Sequence, residues 1–303
     1  MWTKRGLIIN PKDHQRWWMK SHAMLPTIEK LSDNKFSVYF SGRDENNVSH
    51  IGRGLITVTD GEIELHHIDQ EPVFSTGDRG CFDDNGVTPS CIVEDKLYYI
   101  GWNSGTTTYR MSLIMGLCFK NTNGKSNGHC DQFIRNSRAP LMNRTDREPF
   151  GICTAPFVVK ENIYKMWYVS GESWINKDLP VYNIKYATSD DGITWKNNGV
   201  VSLELLEGET ALARPCVLKT ENGYEMYFSY KNPKYGYRIG YAISVDGITF
   251  ERADHNNGLG VSKSGWDSEM VEYSYVFKHL DKTYMLYNGN GYGETGIGYA
   301  VKQ

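Results

Sequence analysis

Nowhere in these 303 residues do eighteen apolar residues run together, so no helical membrane span and no membrane insertion are expected. Charge of one sign is missing too: 33 Lys and Arg stand against 36 Asp and Glu, a net of −3, and no basic run forms a phosphate-binding stripe. Nucleic acid is therefore not an expected partner. The N-terminal MWTKRGLIINPKDHQRWW lacks the apolar stretch and small-residue cleavage site of a signal peptide, and none of the six cysteines forms a CxxC pair. Both features predict a cytoplasmic protein with free thiols. The Cys and His spacing suits no metal, and Walker, Rossmann, HExxH and GxSxG segments are all missing, so neither metal nor cofactor is expected.

Aromatics and glycines are plentiful: 20 Tyr, 8 Trp, 11 Phe and 30 Gly. Together they predict short strands joined by tight turns, an all-β chain. The strands repeat. Pro26, Pro89, Pro156, Pro215 and Ser274, which lie 63, 67, 59 and 59 residues apart, each open an apolar strand, a polar turn and an aromatic strand. The aromatic strands are FSVYFSG, LYYIGW, YKMWYVSG, YEMYFSY and YMLYNG. A third strand follows in every copy, passing through Gly52, Gly116, Lys185, Gly240 and Gly298. Asp-Gly turns at Asp191-Gly192 and Asp246-Gly247 lead to a fourth strand. The fifth copy ends before its fourth strand, and the N-terminal Trp2 to Ile8, spaced like Trp195 to Val201, can supply it. The reading is one domain, residues 1–303: a five-bladed β-propeller of four-stranded blades, the last closed by the N-terminal strand.

In a propeller the segments before the anchors gather around a central channel, and four of these five segments carry carboxylates. Carboxylates sharing a channel separate into an acid and a base, the requirement for cleaving a glycosidic bond. The catalytic candidates are Asp84, Glu209, Glu269 and Glu272. For substrate binding the sequence offers His22, Arg43, Asp44, Asp83, Trp102, Arg214, Trp266 and Tyr273, with Trp167 and Trp174 as further sugar platforms. Asp83 and Asp84 could equally cap the turn before Gly86, and Arg43–Asp44 could be a surface ion pair.

The segments SHAMLPT, FDDNGVTPS, MWYVSG, IKYATSDDGITW, ALARPCV, YRIGYAISVDGITF and SGWDSEMVEYSYVF together resemble the five-bladed propeller glycosidase superfamily, which includes glycoside hydrolase families 32, 43, 62, 117 and 130. More closely, the chain is similar to bacterial glycosidase-like proteins of surface-polysaccharide gene clusters. The resemblance implies a carbohydrate or sugar-nucleotide ligand. It puts Asp84 or Asp83 in the blade-two aspartate position and Glu209 in that of the acid, with His22 where blade one would carry its aspartate. The implied function is glycoside hydrolysis by paired carboxylates. A non-catalytic glycan or sugar-nucleotide binder, a glycosyltransferase and a phosphorylase stand as alternatives on the same fold.

Overall fold

The computed structural model describes residues 1–105, 111–121 and 133–302, so Cys130 and most of the loop expected around residues 121–138 lie outside it. The described chain is all-β but for two four-residue helical turns, and it contains no helix long and apolar enough to cross a membrane.

Strand pairing reproduces the sequence repeat. The first unit is β2 (Ser21–Lys30), β3 (Lys35–Arg43), β4 (Ser49–Val58) and β5 (Ile63–Ile68), each antiparallel to the next. The second is β6 (Val87–Val93), β7 (Lys96–Asn103), β8 (Ser112–Lys120) and β9 (Phe133–Arg135). The third runs β10 (Ile152–Lys160), β11 (Tyr164–Asn176), β12 (Leu179–Ser189) and β13 (Lys196–Leu203). The fourth runs β14 (Ala211–Thr220), β15 (Gly223–Asn232), β16 (Gly236–Ser244) and β17 (Glu251–Arg252). The last sequential strands, β18 (Glu272–His279), β19 (Lys282–Asn288) and β20 (Ile297–Lys302), take β1 (Thr3–Ile9) as their fourth partner, with Thr3 opposite Val301 and Ile9 opposite Ile297.

Four of the five third strands pass a glycine because an aromatic ring lies on it. A Cβ built on Gly52 would fall 1.9 Å from Trp18; on Gly116, 2.3 Å from Tyr99; on Gly240, 2.5 Å from Phe228; on Gly298, 2.3 Å from Trp266. The third unit has Lys185 instead, whose ammonium lies 2.8 Å from Glu172 and 3.6 Å from Glu148. The aromatic surplus is thus largely packing between strands and units, as in the pairs Trp167–Tyr224 and Phe36–Phe277.

Hydrogen bonds involving side chains join successive units. Thr27 Oγ1 donates to Ser90 O, Ser90 Oγ to Pro156 O, and Trp167 Nε1 to Gly247 O; the Val276 amide meets Cys216 Sγ, and the Leu25 amide donates to Asn288 Oδ1. The last of these joins the fifth unit to the first. Cys91, Cys118, Cys153 and Cys216 are buried free thiols, and Cys81 is a half-buried one.

Candidate functional site

The first strand of every unit carries a register shift at its anchor: Met24/Thr27, Pro89/Cys91, Thr154/Phe157, Ala213/Cys216 and Glu272/Tyr275. Such a bulge re-aims a side chain. Leu25, Ala155, Arg214 and Tyr273 hold positive φ angles of 54°, 46°, 51° and 53°. Three of them precede proline, where helical-type conformations are disfavoured. Strain of this kind, of order 1–3 kcal/mol per residue, persists only where the surroundings enforce it and clusters at ligand sites. The outcome is one pouch of about 70 Å³ lined by Leu25, Thr88, Ala155, Arg214 and Tyr273, the residue before the anchor in each of the five units.

Above the pouch lies a cleft of about 310 Å³, sharing Leu25, Trp102, Leu113, Tyr182 and Tyr273 with it. Its walls add Arg43, Lys231, Tyr237 and Tyr292, with Asp178 at an exposed turn. The tyrosines form a connected set: Tyr182 Oη lies 2.8 Å from Tyr237 Oη, the rings of Tyr237 and Tyr273 are 5.6 Å apart, and Lys231 Nζ sits 5.5 Å from the Tyr237 ring. Burial pushes the phenol of Tyr182 up to about 12 and raises those of Tyr237 and Tyr273 well above the ordinary value, so all three are neutral donors at ordinary pH. Burial also lowers the pKa of Arg43, and burial followed by the Arg43 charge lowers that of His22 to about 4, leaving its imidazole uncharged at pH 7.

The structure brings four of the expected residues, Arg43, Trp102, Arg214 and Tyr273, to this cleft or pouch. Glu272 is wholly buried beside Tyr273 in the strand and opposite Asn288; neither carboxylate oxygen has a hydrogen-bond partner, and desolvation, offset in part by Lys231, raises its pKa well above that of a free glutamate. It lies behind Tyr273 and lines neither the cleft nor the pouch.

The convergence of carboxylates on the channel requires correction. Asp83 is fully buried and takes Arg135 of β9 (Nη2 at 2.8 Å) and the Tyr99 hydroxyl (2.9 Å). Glu209 accepts both Nη atoms of Arg252 in β17 at 3.0 Å. Asp267 binds Lys4 of β1 at 2.6 Å, and Glu148 binds Asn197 of β13 at 2.7 Å. In units two to five the acid ahead of the first strand therefore latches onto the fourth strand of its own unit, away from the cleft. Glu209 does not stand where a channel acid would.

Other expectations shift for similar reasons. Asp84 accepts the Gly80 amide and the Asn103 side chain, both at 2.8 Å, in the turn it was alternatively expected to cap. Asp44 closes its own loop by accepting the amides of Asn46 and Val48. Glu269 is exposed, with its carbonyl taken by Arg238. Trp266 stacks on Tyr287 at 5.2 Å and covers Gly298, and Trp167 is buried core. His22 is held 2.8 Å from Ser21 Oγ near Arg43 and lines neither cavity. Tyr182, Tyr237 and Lys231 were not anticipated; their only signal is their position at the channel ends of second and third strands. A larger hollow of about 560 Å³, lined by Glu225, Asp246 and Glu251 among others, contains none of the residues before the anchors.

Five antiparallel units, each giving the residue before its anchor to one pouch beneath an aromatic cleft, make an all-β fold of the kind found in solved glycoside hydrolases. Solved structures agree. The chain is similar to a protein titled glycoside hydrolase (TM-score 0.72, 18% identity, 99% of this chain and 91% of that one) and to a thermostable family-43 glycoside hydrolase (0.62, 15%, 93% and 89%). It is also similar to β-1,2-mannobiose phosphorylase from Listeria innocua, in complex with β-1,2-mannobiose (0.68, 12%, 98% and 94%). No family model matches the chain. By sequence it is 37% identical to the uncharacterized protein MT1551 of Mycobacterium tuberculosis strain CDC 1551 / Oshkosh, across 99% of this chain and 98% of that protein. It is 36% identical to Rv1502 of strain H37Rv over the same shares. The chain belongs to the family of these mycobacterial proteins.

Proposed function

We propose that residues 1–303 form one closed five-bladed propeller whose central cleft binds a carbohydrate. The observation that carries this is the pouch itself, to which each unit contributes the residue before its anchor. Closure is supported by the β1–β20 pairing, the Lys4–Asp267 latch and the bond from the Leu25 amide to Asn288. The Trp102 and tyrosine rings suit the apolar face of a sugar, and neutral phenols with Arg43 and Lys231 suit its hydroxyls. The neighbours named as glycoside hydrolases and as a mannobiose complex support the ligand class. Surface-polysaccharide assembly is the setting we propose, with a sugar nucleotide as one form in which the ring would arrive.

A two-carboxylate hydrolase needs an ionised base beside its acid. Here Glu272 is wholly buried and lines neither cavity, and Asp178 lies on an exposed turn, so binding accounts for the cleft better than hydrolysis. Phosphorolysis is the second reading: phosphate is its own nucleophile, and the cleft offers Arg43 and Lys231 rather than a base. A glycan array followed by calorimetry tests the first reading, with binding expected to be lost in Trp102→Ala. Phosphate-dependent release of a sugar 1-phosphate would establish the second. Binding that survives Trp102→Ala unchanged contradicts the site.

A further inference from the structure

Arg214 is 1% exposed, and its guanidinium donates to the carbonyls of Pro89 (2.8 Å) and Pro26 (2.7 Å) and to Thr27 Oγ1 (3.0 Å). Among the described residues no carboxylate pairs with it. Burial lowers its pKa only to about 10, so the cation persists at neutral pH. Its Nε–H has no hydrogen-bond partner, and neither have the hydroxyls of Thr88 and Thr154, which line the same pouch. Much of the remaining wall is apolar, including Leu25, Ile100, Ile152 and Val169. An isolated buried cation is costly unless an anion meets it, and buried donors are seldom left unused.

We propose that this pouch receives the carboxylate of an acidic sugar, with Arg214, Thr88 and Thr154 as its donors. The inference rests on the carbohydrate reading of the cleft above and names its substrate class. The pouch, of about 70 Å³, has room for a carboxylate. The sugar ring then lies in the larger cleft against Trp102 and Tyr182. A phosphate, more highly charged, would instead be drawn to the two cations of the cleft, Arg43 and Lys231.

The test uses the full chain and fluorine NMR of fluoroacetate, with fluoroacetamide as the neutral counterpart. Fluoroacetate should bind saturably and the amide should not. Thr88→Val and Thr154→Val, nearly the same shape, should each weaken fluoroacetate about tenfold or more while leaving the melting temperature nearly unchanged. Glucuronic acid should displace the probe, whereas glucose and inorganic phosphate should not. No saturable binding, equal binding of the amide, displacement by phosphate as readily as by glucuronic acid, or indifference of both threonine variants would overturn the proposal. These variants keep it falsifiable if Arg214→Met fails to fold. Glycan binding that depends on Trp102 but shows no preference for acidic sugars would overturn this inference alone; a fluoroacetate site in a chain that binds no glycan would overturn the carbohydrate reading instead.

Discussion

Replacing Glu209 by Gln separates an acid in the reaction from a latch within a unit. The wild-type carboxylate accepts two bonds from Arg252 at 3.0 Å and one from the Leu206 amide at 2.9 Å, and the two charged side chains are 5% and 11% exposed. Removing one partner of a buried pair costs ~3–5 kcal/mol when the other charge is stranded. Arg252 is not stranded, because its Nε also donates to Asp254 at 2.9 Å, and its guanidinium lies 4.7 Å from the Phe228 ring. Glutamine keeps one acceptor as well. The expected loss is therefore about 2–3 kcal/mol, which for a domain of this size lowers the melting temperature by roughly 3–5 °C. Calorimetric melting should show that drop, while ligand affinity at 20 °C stays unchanged. Adding Arg252→Met should cost much less than the sum of the two single changes. An unaltered melting temperature accompanied by lost turnover would refute the latch and return Glu209 to the chemistry.

Three further outcomes follow from the packing and the buried acid. Gly52→Ala would drive a Cβ to 1.9 Å from the buried Trp18 ring, so stability should fall by about 3 kcal/mol, read from urea midpoints at constant slope. The Glu272 carboxyl titrates above its unfolded value of 4.5, so its protonated form stabilises the fold fully below that pH, and the benefit is lost as pH rises toward the folded pKa. Glu272→Gln should remove this alkaline loss; a stability profile between pH 5 and 9 identical to wild type would refute the protonated state. Lys4→Met should leave the buried Asp267 carboxylate with the Tyr287 hydroxyl at 3.0 Å but no cation, and lower the melting temperature by a few degrees. No change would show that the N-terminal latch contributes nothing to closure.

The repeat was legible because it is written in residue types that the fold requires. A proline or serine marks each first strand, which begins two to five residues before it, and the third-strand glycines that the sequence aligned exist because Trp18, Tyr99, Phe228 and Trp266 lie across them. The N-terminal partner of the last unit was readable from spacing alone, since Trp2 to Ile8 repeats the pattern of a fourth strand, and β1 pairs with β20. The pouch-lining residues followed from the same anchors, and Arg214 and Tyr273 were found that way. The carboxylates misled because Asp83, Glu148, Glu209 and Asp267 stand in the segments just before the anchors, yet their partners lie on fourth strands whose residues vary between Arg135, Asn197, Arg252 and Lys4. No one-dimensional pattern pairs those positions. Tyr182, Tyr237 and Lys231 were hidden in a different way, since their aromatic and basic types recur throughout the chain and only the ends of second and third strands reach the cleft.

The most direct test of the account is a crystal structure of the protein soaked with a saccharide carrying a uronic acid. The account predicts a sugar ring against Trp102 and Tyr182, with its carboxylate among Thr88, Thr154 and Arg214. A sugar bound in the hollow lined by Glu225 and Asp246, with the central cleft empty at saturating ligand, would contradict it.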